Sequence, residues 1–132
     1  MPKPVGRDAG NGLHIHMSLM KDGHYLFSPA ELNEEAKGFV GGLLNHAKAL
    51  SAICCPTINS YKRLVPGYEA PVYISWGGEN RSVLVRIPAY GNKEEAKGRV
   101  EFRAGDASAN IYLMLNSLIR AGMDGIEKRS DP

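Results

Sequence analysis

The chain has 132 residues, enough for one domain and too few for two. A compact fold of that length hides roughly two-thirds of the extended-chain surface, so a real core is available. Hydrophobic residues at 43% and charged residues at 23% are globular proportions that argue against a disordered or coiled-coil chain. Sixteen Lys and Arg against fourteen Asp and Glu leave +2, which argues against a general nucleic-acid coat while permitting one strongly cationic site.

No apolar run approaches eighteen residues, so no membrane span is expected, and the polar, Pro-broken start from Met1 to Gly10 lacks the apolar core of a signal peptide. The two cysteines are adjacent, Cys54-Cys55, which suits neither a disulfide framework nor a thiolate metal site. A reducing cytoplasmic setting is the expectation.

Leu13 to Leu19 alternates: Leu13, Ile15, Met17 and Leu19 on one face, His14, His16 and Ser18 on the other. This predicts a half-buried strand with both imidazoles on its second face. Asp22-Gly23 predicts a tight turn into a return strand over His24–Phe27. Ser28-Pro29-Ala30-Glu31 carries the cap, first-turn proline and capping-box carboxylate of a helix start. Apolar spacing extends that helix to about Ala52, and Pro56 stops it. Gly38, Gly41 and Gly42 within it predict close backbone packing against another element.

Residues 57–71 read as an irregular loop rich in Tyr, Lys, Arg and Glu, of a kind more often functional than structural. Strands are expected at Pro71–Trp76 and Ser82–Ile87, joined around Gly77-Gly78, and at Arg99–Arg103. A last helix runs from about Ser108 to Ala121, with Ile111, Leu115, Leu118 and Ile119 facing inward. Connections between the later strands are short for parallel crossovers. The expected fold is therefore α+β, a single domain over residues 1–132 with a mainly antiparallel sheet and two principal helices. The first strand has no earlier segment to pair with.

His14 and His16, at i and i+2 on a strand, point the same way, a geometry for a metal or anion site, though such pairs are commonly plain core-edge histidines. Arg99, Glu101 and Arg103 alternate with Val100 and Phe102, setting one carboxylate between two guanidiniums. Such a triplet is either a solvated strand with weak ion pairs or a site where Glu101 binds a cation and the arginines bind oxyanions. Arg81, Arg86 and Lys62-Arg63 gather near expected strand ends and turns, and together they favour an anionic small molecule. No Rossmann or P-loop fingerprint, serine elbow or basic stripe with interleaved aromatics is present.

Several strings taken together are specific. Gly10-Asn11-Gly12-Leu13-His14-Ile15-His16-Met17-Ser18-Leu19, the run from Asn59 to Val72 containing Lys62-Arg63-Leu64-Val65-Pro66-Gly67-Tyr68-Glu69-Ala70-Pro71, then Asn80-Arg81-Ser82, Arg86-Ile87-Pro88 and Arg99-Val100-Glu101-Phe102-Arg103 resemble the catalytic domain of the glutamine synthetases, most like the prokaryotic class. The resemblance runs from about Gly10 to Ile126.

It implies ligation of ammonia to the γ-carboxylate of L-glutamate, driven by ATP through γ-glutamyl phosphate. His14 and Glu101 would be ligands of a divalent ion, Mg²⁺ or Mn²⁺, and His16 would face the ATP phosphates. Gly10 would present its backbone to glutamate, Arg63 would hold the α-carboxylate, and Arg103 the side-chain carboxylate. Arg81 and Arg86 would neutralise the transferring phosphoryl group and the nucleotide. Glu69 would close the site and help take a proton from ammonium, and Lys97, or Lys93, would match a phosphate-contacting lysine. Ala9 stands where the family commonly has asparagine. Members are several times longer, carry further metal-binding glutamates, and work as stacked homo-oligomeric rings with sites shared between neighbours. The expectation is therefore a partial catalytic domain with little turnover alone; the alternative is a non-catalytic nucleotide- or partner-binding module of the same origin.

Overall fold

The computed structural model describes residues 1–27, 32–78, 80–88 and 98–132. Among these residues ten elements follow in order: β1 (Ile15–Met17), β2 (Met20–Lys21), β3 (His24–Tyr25), α1 (Glu34–Asn45), α2 (Ala47–Cys54), α3 (Ile58–Arg63), β4 (Tyr73–Gly77), β5 (Val83–Arg86), β6 (Val100–Phe102) and α4 (Ile111–Glu127). A four-stranded sheet has the order β1-β6-β5-β4, and β2-β3 form a separate hairpin. The α+β class holds.

The alternation expected in the first strand places Ile15 and Met17 against the core, and Asp22 and Gly23 both take positive φ, 51° and 80°. Two left-handed residues in a row make the turn type whose twist matches antiparallel strands, and Met20 pairs with Tyr25 across it. Among the described residues β1 lies at a sheet edge, paired on one side only, by β6.

β1–β6 and β5–β6 are antiparallel, so the sheet is mainly antiparallel as expected; β4 and β5 run parallel, an exception that the short connection between them did not suggest. The return from Gly77 to the start of β5 is about 13 Å at strand rise, and six extended peptide steps reach roughly 20 Å, so no helical crossover is needed. The register shift between Tyr73 and Trp76 accompanies this pairing.

The expected helix start at Ser28–Glu31 lies outside the described residues. Leu32 and Asn33 are not helical, and the helix opens at Glu34, where the Asn33 side chain accepts from the Ala36 amide at 2.8 Å. His46, at φ −92° and ψ 6°, divides the single expected helix into α1 and α2, and hydrogen bonds from His46 to Gly42 and from Leu50 to His46 keep the two nearly continuous. Residues 57–71 are less irregular than expected. Thr57 and Ser60 form a reciprocal capping box that starts α3.

α1 packs along α4 with backbones in contact. A methyl group on Gly42 would stand 2.1 Å from the Ala121 carbonyl, and one on Gly125 would stand 2.1 Å from the Gly38 carbonyl. This bears out the packing expected of the helical glycines, and it corrects the inward face of α4. The buried side is Met114, Leu118, Ala121, Gly122 and Gly125, whereas Ile111, Leu115 and Ile119 are 38%, 37% and 53% exposed. Small residues permit the closest approach, and that gain in contact decides the face over side-chain hydrophobicity.

Phe27, Phe39, Leu43, Val85, Val100, Phe102, Met114 and Leu118 fill the core between sheet and helices. Period-two alternation then turns Glu101 of β6, Arg86 of β5 and His16 of β1 to the opposite face of the sheet. No helix among the described residues is long and apolar enough to cross a membrane.

Candidate active site

Strand register builds the site. His16 and Arg86 are both Cα partners of Glu101, so three chemically unlike groups form one row across β1, β6 and β5. His14 and Arg103 extend that row by one pleat on either strand.

Glu101 is 1% exposed. Arg86 Nε–H donates to its Oε2 at 2.5 Å, and Arg103 Nη1 lies 3.3 Å from Oε1 and 3.5 Å from Oε2. His14 Nδ1 is 2.8 Å from Oε1, and His16 Nε2 is 3.8 Å from the same oxygen. Burial alone would raise this carboxyl group; Arg103, Arg86 and His14 outweigh it and hold the pKa below the usual carboxylate range. Both imidazoles are pushed down, His14 by burial and then by Arg103, His16 by burial with Arg99, Arg86 and Arg103 adding to it. They are therefore neutral at pH 7, with a lone pair to offer. The solvated-strand reading of the triplet fails, because the Glu101–Arg103 pair is buried.

Arg103 ties the sheet to the loops above it. Its Nη2 donates at 3.1 Å to the carbonyls of both Glu69 and Arg81, and its Nε is buried without a hydrogen-bond partner among the described residues. Glu69 and Arg81 also form an ion pair through side chains that are 75% and 65% exposed. Gly67, at φ +89°, swings the chain into this loop.

Arg63 ends α3 and is only 4% exposed, donating through Nη2 to the carbonyls of Ala104 and Gly105. Across from it lies the Gly10-Asn11-Gly12 turn. A methyl group on Gly10 would stand 2.6 Å from both Arg63 Cγ and the Pro2 carbonyl, and one on Gly12 would stand 2.6 Å from Arg63 Nη1, so a side chain at Gly10 would meet fixed backbone and one at Gly12 would displace the guanidinium.

These parts enclose a cleft of about 350 Å³ lined by Gly10, Gly12, His14, Arg63, Glu69, Arg81, Arg86, Glu101 and Arg103, with Ala9, Tyr68 and Ala70. Eight of the ten residues expected at the site therefore converge there. His16 stands beside the lining, and Lys97, with its alternative Lys93, lies outside the described residues. Sequence reasoning assigned nothing to Gly12 or Tyr68; the close glycine pair was the available signal for the first. Four arginines against two glutamates make the cleft cationic. Among the described residues no group of three or more His, Cys, Asp or Glu is arranged to hold a metal ion; His14 and Glu101 offer one nitrogen and one oxygen donor in contact. That donor pair fits part of a divalent-ion site and leaves it incomplete.

The fold and site together define an α+β domain with helices sealing one sheet face and a cationic cleft, centred on one buried carboxylate, on the other. All 132 residues match the family model described as glutamine synthetase, catalytic domain. Similar curated proteins are the glutamine synthetases of Pyrococcus horikoshii, 56% identical, and Thermotoga maritima, 52% identical. Each match covers 100% of this chain and 29% or 30% of the relative. The cryoEM structure of Plasmodium falciparum glutamine synthetase superposes with a TM-score of 0.88 at 39% identity, over 100% of this chain and 26% of that one. The chain belongs to the glutamine synthetase catalytic-domain family, and it spans less than a third of the length of these relatives.

Proposed function

We propose that this chain supplies part of the active site of an ATP-dependent glutamate–ammonia ligase, joining ammonia to the γ-carboxylate of L-glutamate through γ-glutamyl phosphate. The observation that carries the reading is the burial of Glu101 between His14, Arg86 and Arg103 on the wall of a cleft holding four arginines. Forming an acyl phosphate concentrates negative charge from a dicarboxylate and a triphosphate. Preorganised guanidiniums in a site shielded from water are what stabilise such charge.

In this reading the Gly10 backbone and Arg63 receive the amino-acid end of glutamate. Arg103 exchanges its bonds to the Glu69 and Arg81 carbonyls for the side-chain carboxylate. Arg81 and Arg86 face the transferring phosphoryl group, His16 faces the nucleotide phosphates, and Lys97, outside the described residues, is the lysine assigned to contact them. Glu69 closes the loop over the cleft and accepts a proton from ammonium, which must become ammonia before it can attack. His14 and Glu101 would hold a divalent ion, Mg²⁺ or Mn²⁺, which when bound supplies Lewis-acid neutralisation of phosphate oxygens. The remaining ligands would come from outside the described residues or from a neighbouring subunit of a ring. Turnover by this chain alone is accordingly expected to be negligible.

Titration calorimetry with a nonhydrolysable ATP analogue and Mg²⁺ tests the reading. Binding with Kd below about 1 mM, some −4 kcal/mol, that Arg86→Ala abolishes is the expected result. Equal heats from the parent chain and Arg86→Ala would overturn the assignment of this face to phosphate.

A further inference from the structure

We propose that Lys3 is a positioning residue for the loop that carries Glu69, acting through the aromatic face of Tyr68. Lys3 lies near the beginning of the chain, yet it is only 5% exposed. Its main chain is clasped by one side chain: its amide donates to Asn59 Oδ1 at 2.7 Å, and Asn59 Nδ2 donates to its carbonyl at 2.9 Å. That fixes Lys3 on α3. Pro2 beside it accepts from the Asn11 amide at 2.8 Å, which folds residues 2–11 into a closed strap.

From this anchored backbone the ammonium group donates to the Asp8 carbonyl and sits 3.5 Å from the centroid of the Tyr68 ring. No carboxylate pairs with it among the described residues. A desolvated cation so placed depends on the ring's negative face, and the attraction is larger than at an exposed site. Tyr68 directly precedes Glu69, so fixing its ring fixes the adjoining backbone.

The loop is held from two sides. On the cleft side, Arg103 grips the Glu69 carbonyl and Arg81 pairs with the Glu69 carboxylate. Both arginines point into the region where an anionic ligand would compete for them. Lys3 holds the loop from outside the cleft lining, where no such competition occurs. A ligand can therefore take Arg81 and Arg103 while Tyr68 keeps Glu69 in register. That consequence for catalysis rests on the function proposed above, but the pinning does not, and the two can fail separately.

The 132-residue chain itself serves for the test. In the NMR spectrum the Lys3 side-chain methylenes nearest the ammonium should be shifted upfield by the ring. The shift should survive Tyr68→Phe and vanish in Tyr68→Leu. In parallel, cleavage after Glu69 by a glutamate-specific protease should speed up about tenfold in Lys3→Met, equivalent to some 1.4 kcal/mol of loop opening. Cleavage after Glu101, in the buried strand, should not change, and Lys3→Arg should restore the slow rate. An unshifted Lys3 resonance, an equal acceleration at both bonds, or no rescue by arginine would each overturn the proposal.

Discussion

His14 makes the 2.8 Å contact with Glu101, although the strand register pairs Glu101 with His16, whose ring nitrogen stays 3.8 Å away. The diagonal neighbour outreaches the direct one. Glu101 is thus approached by one imidazole from the side and by Arg86 from its other strand partner position, which uses both carboxylate oxygens.

The titration shifts around this carboxylate all run in the direction that makes the fold acid-sensitive. His14 and His16 are held below their ordinary value of about 6.5, so the unfolded chain binds protons there before the folded one does. Stability is then complete above about pH 6.5 and is lost as the pH falls below it. Glu101, held below its usual 4.5, adds a second loss as the pH drops through and beneath that value. Thermal melts should give a Tm that is level near pH 7–8, declines from about pH 6.5, and steepens below about pH 4.5. His14→Gln should remove part of the first decline and leave the second.

Replacing Glu101 exposes what its burial costs. Glu101→Gln keeps the shape and removes the charge that compensates Arg103, which is 4% exposed at the side chain, and the half-buried Arg86. Breaking one side of a buried ion cluster costs about 3–5 kcal/mol, far above the ~0–1 kcal/mol of a surface pair. Chemical denaturation should show a loss of that size for Glu101→Gln. The exposed Glu69–Arg81 pair provides the contrast, and Glu69→Gln should shift the midpoint hardly at all.

Much of this site was legible in the residue order because strands reveal their faces by alternation. His14 with His16, and Glu101 with Arg103, could each be assigned to one face of their own strand without coordinates, and the Asn59–Val72 string marked Arg63 and Glu69. The sheet partners were not legible, since register depends on which strands meet. The parallel β4–β5 pairing was hidden because a short connection resembles a hairpin until its path in space is known. The buried face of α4 was misread for another reason: hydropathy favours Ile111, Leu115 and Ile119, while backbone contact favours Gly122 and Gly125. Lys3 gave no signal, because nothing local distinguishes a buried lysine from a solvated one.

The α1–α4 contact makes a prediction against helix propensity. Gly42→Ala should favour an isolated helix by about 1 kcal/mol. In the folded chain the new methyl group would meet the Ala121 carbonyl at 2.1 Å and the Gly125 Cα at 2.9 Å, both backbone atoms that cannot rotate away. Overpacking of this kind costs about 1–3 kcal/mol, and contact with backbone places it at the upper end, so the net change should be destabilising by about 1–2 kcal/mol. Gly6→Ala, where nothing lies within 4 Å of the added methyl group, serves as the control and should leave the urea midpoint unchanged.

The adjacent thiols should be silent in the native state. Cys54 and Cys55 are 0% and 1% exposed, and Cys55 Sγ–H donates to the Ala104 carbonyl at 3.1 Å. Burial pushes Cys54 up to about 12, with Cys55 and Asp106 adding to it, and pushes Cys55 up to about 11, with Asp106 adding to it. The thiolate is the reacting form, so its fraction at pH 8 is about a thousandth or less, before access is considered. A small thiol reagent at pH 8 should modify neither residue in the folded chain and both in 6–8 M urea, with the native rate following the opening of the core. Modification of either cysteine at the rate of an exposed thiol would show that the α2 end, where Cys54 accepts the Asp106 amide, is open in solution.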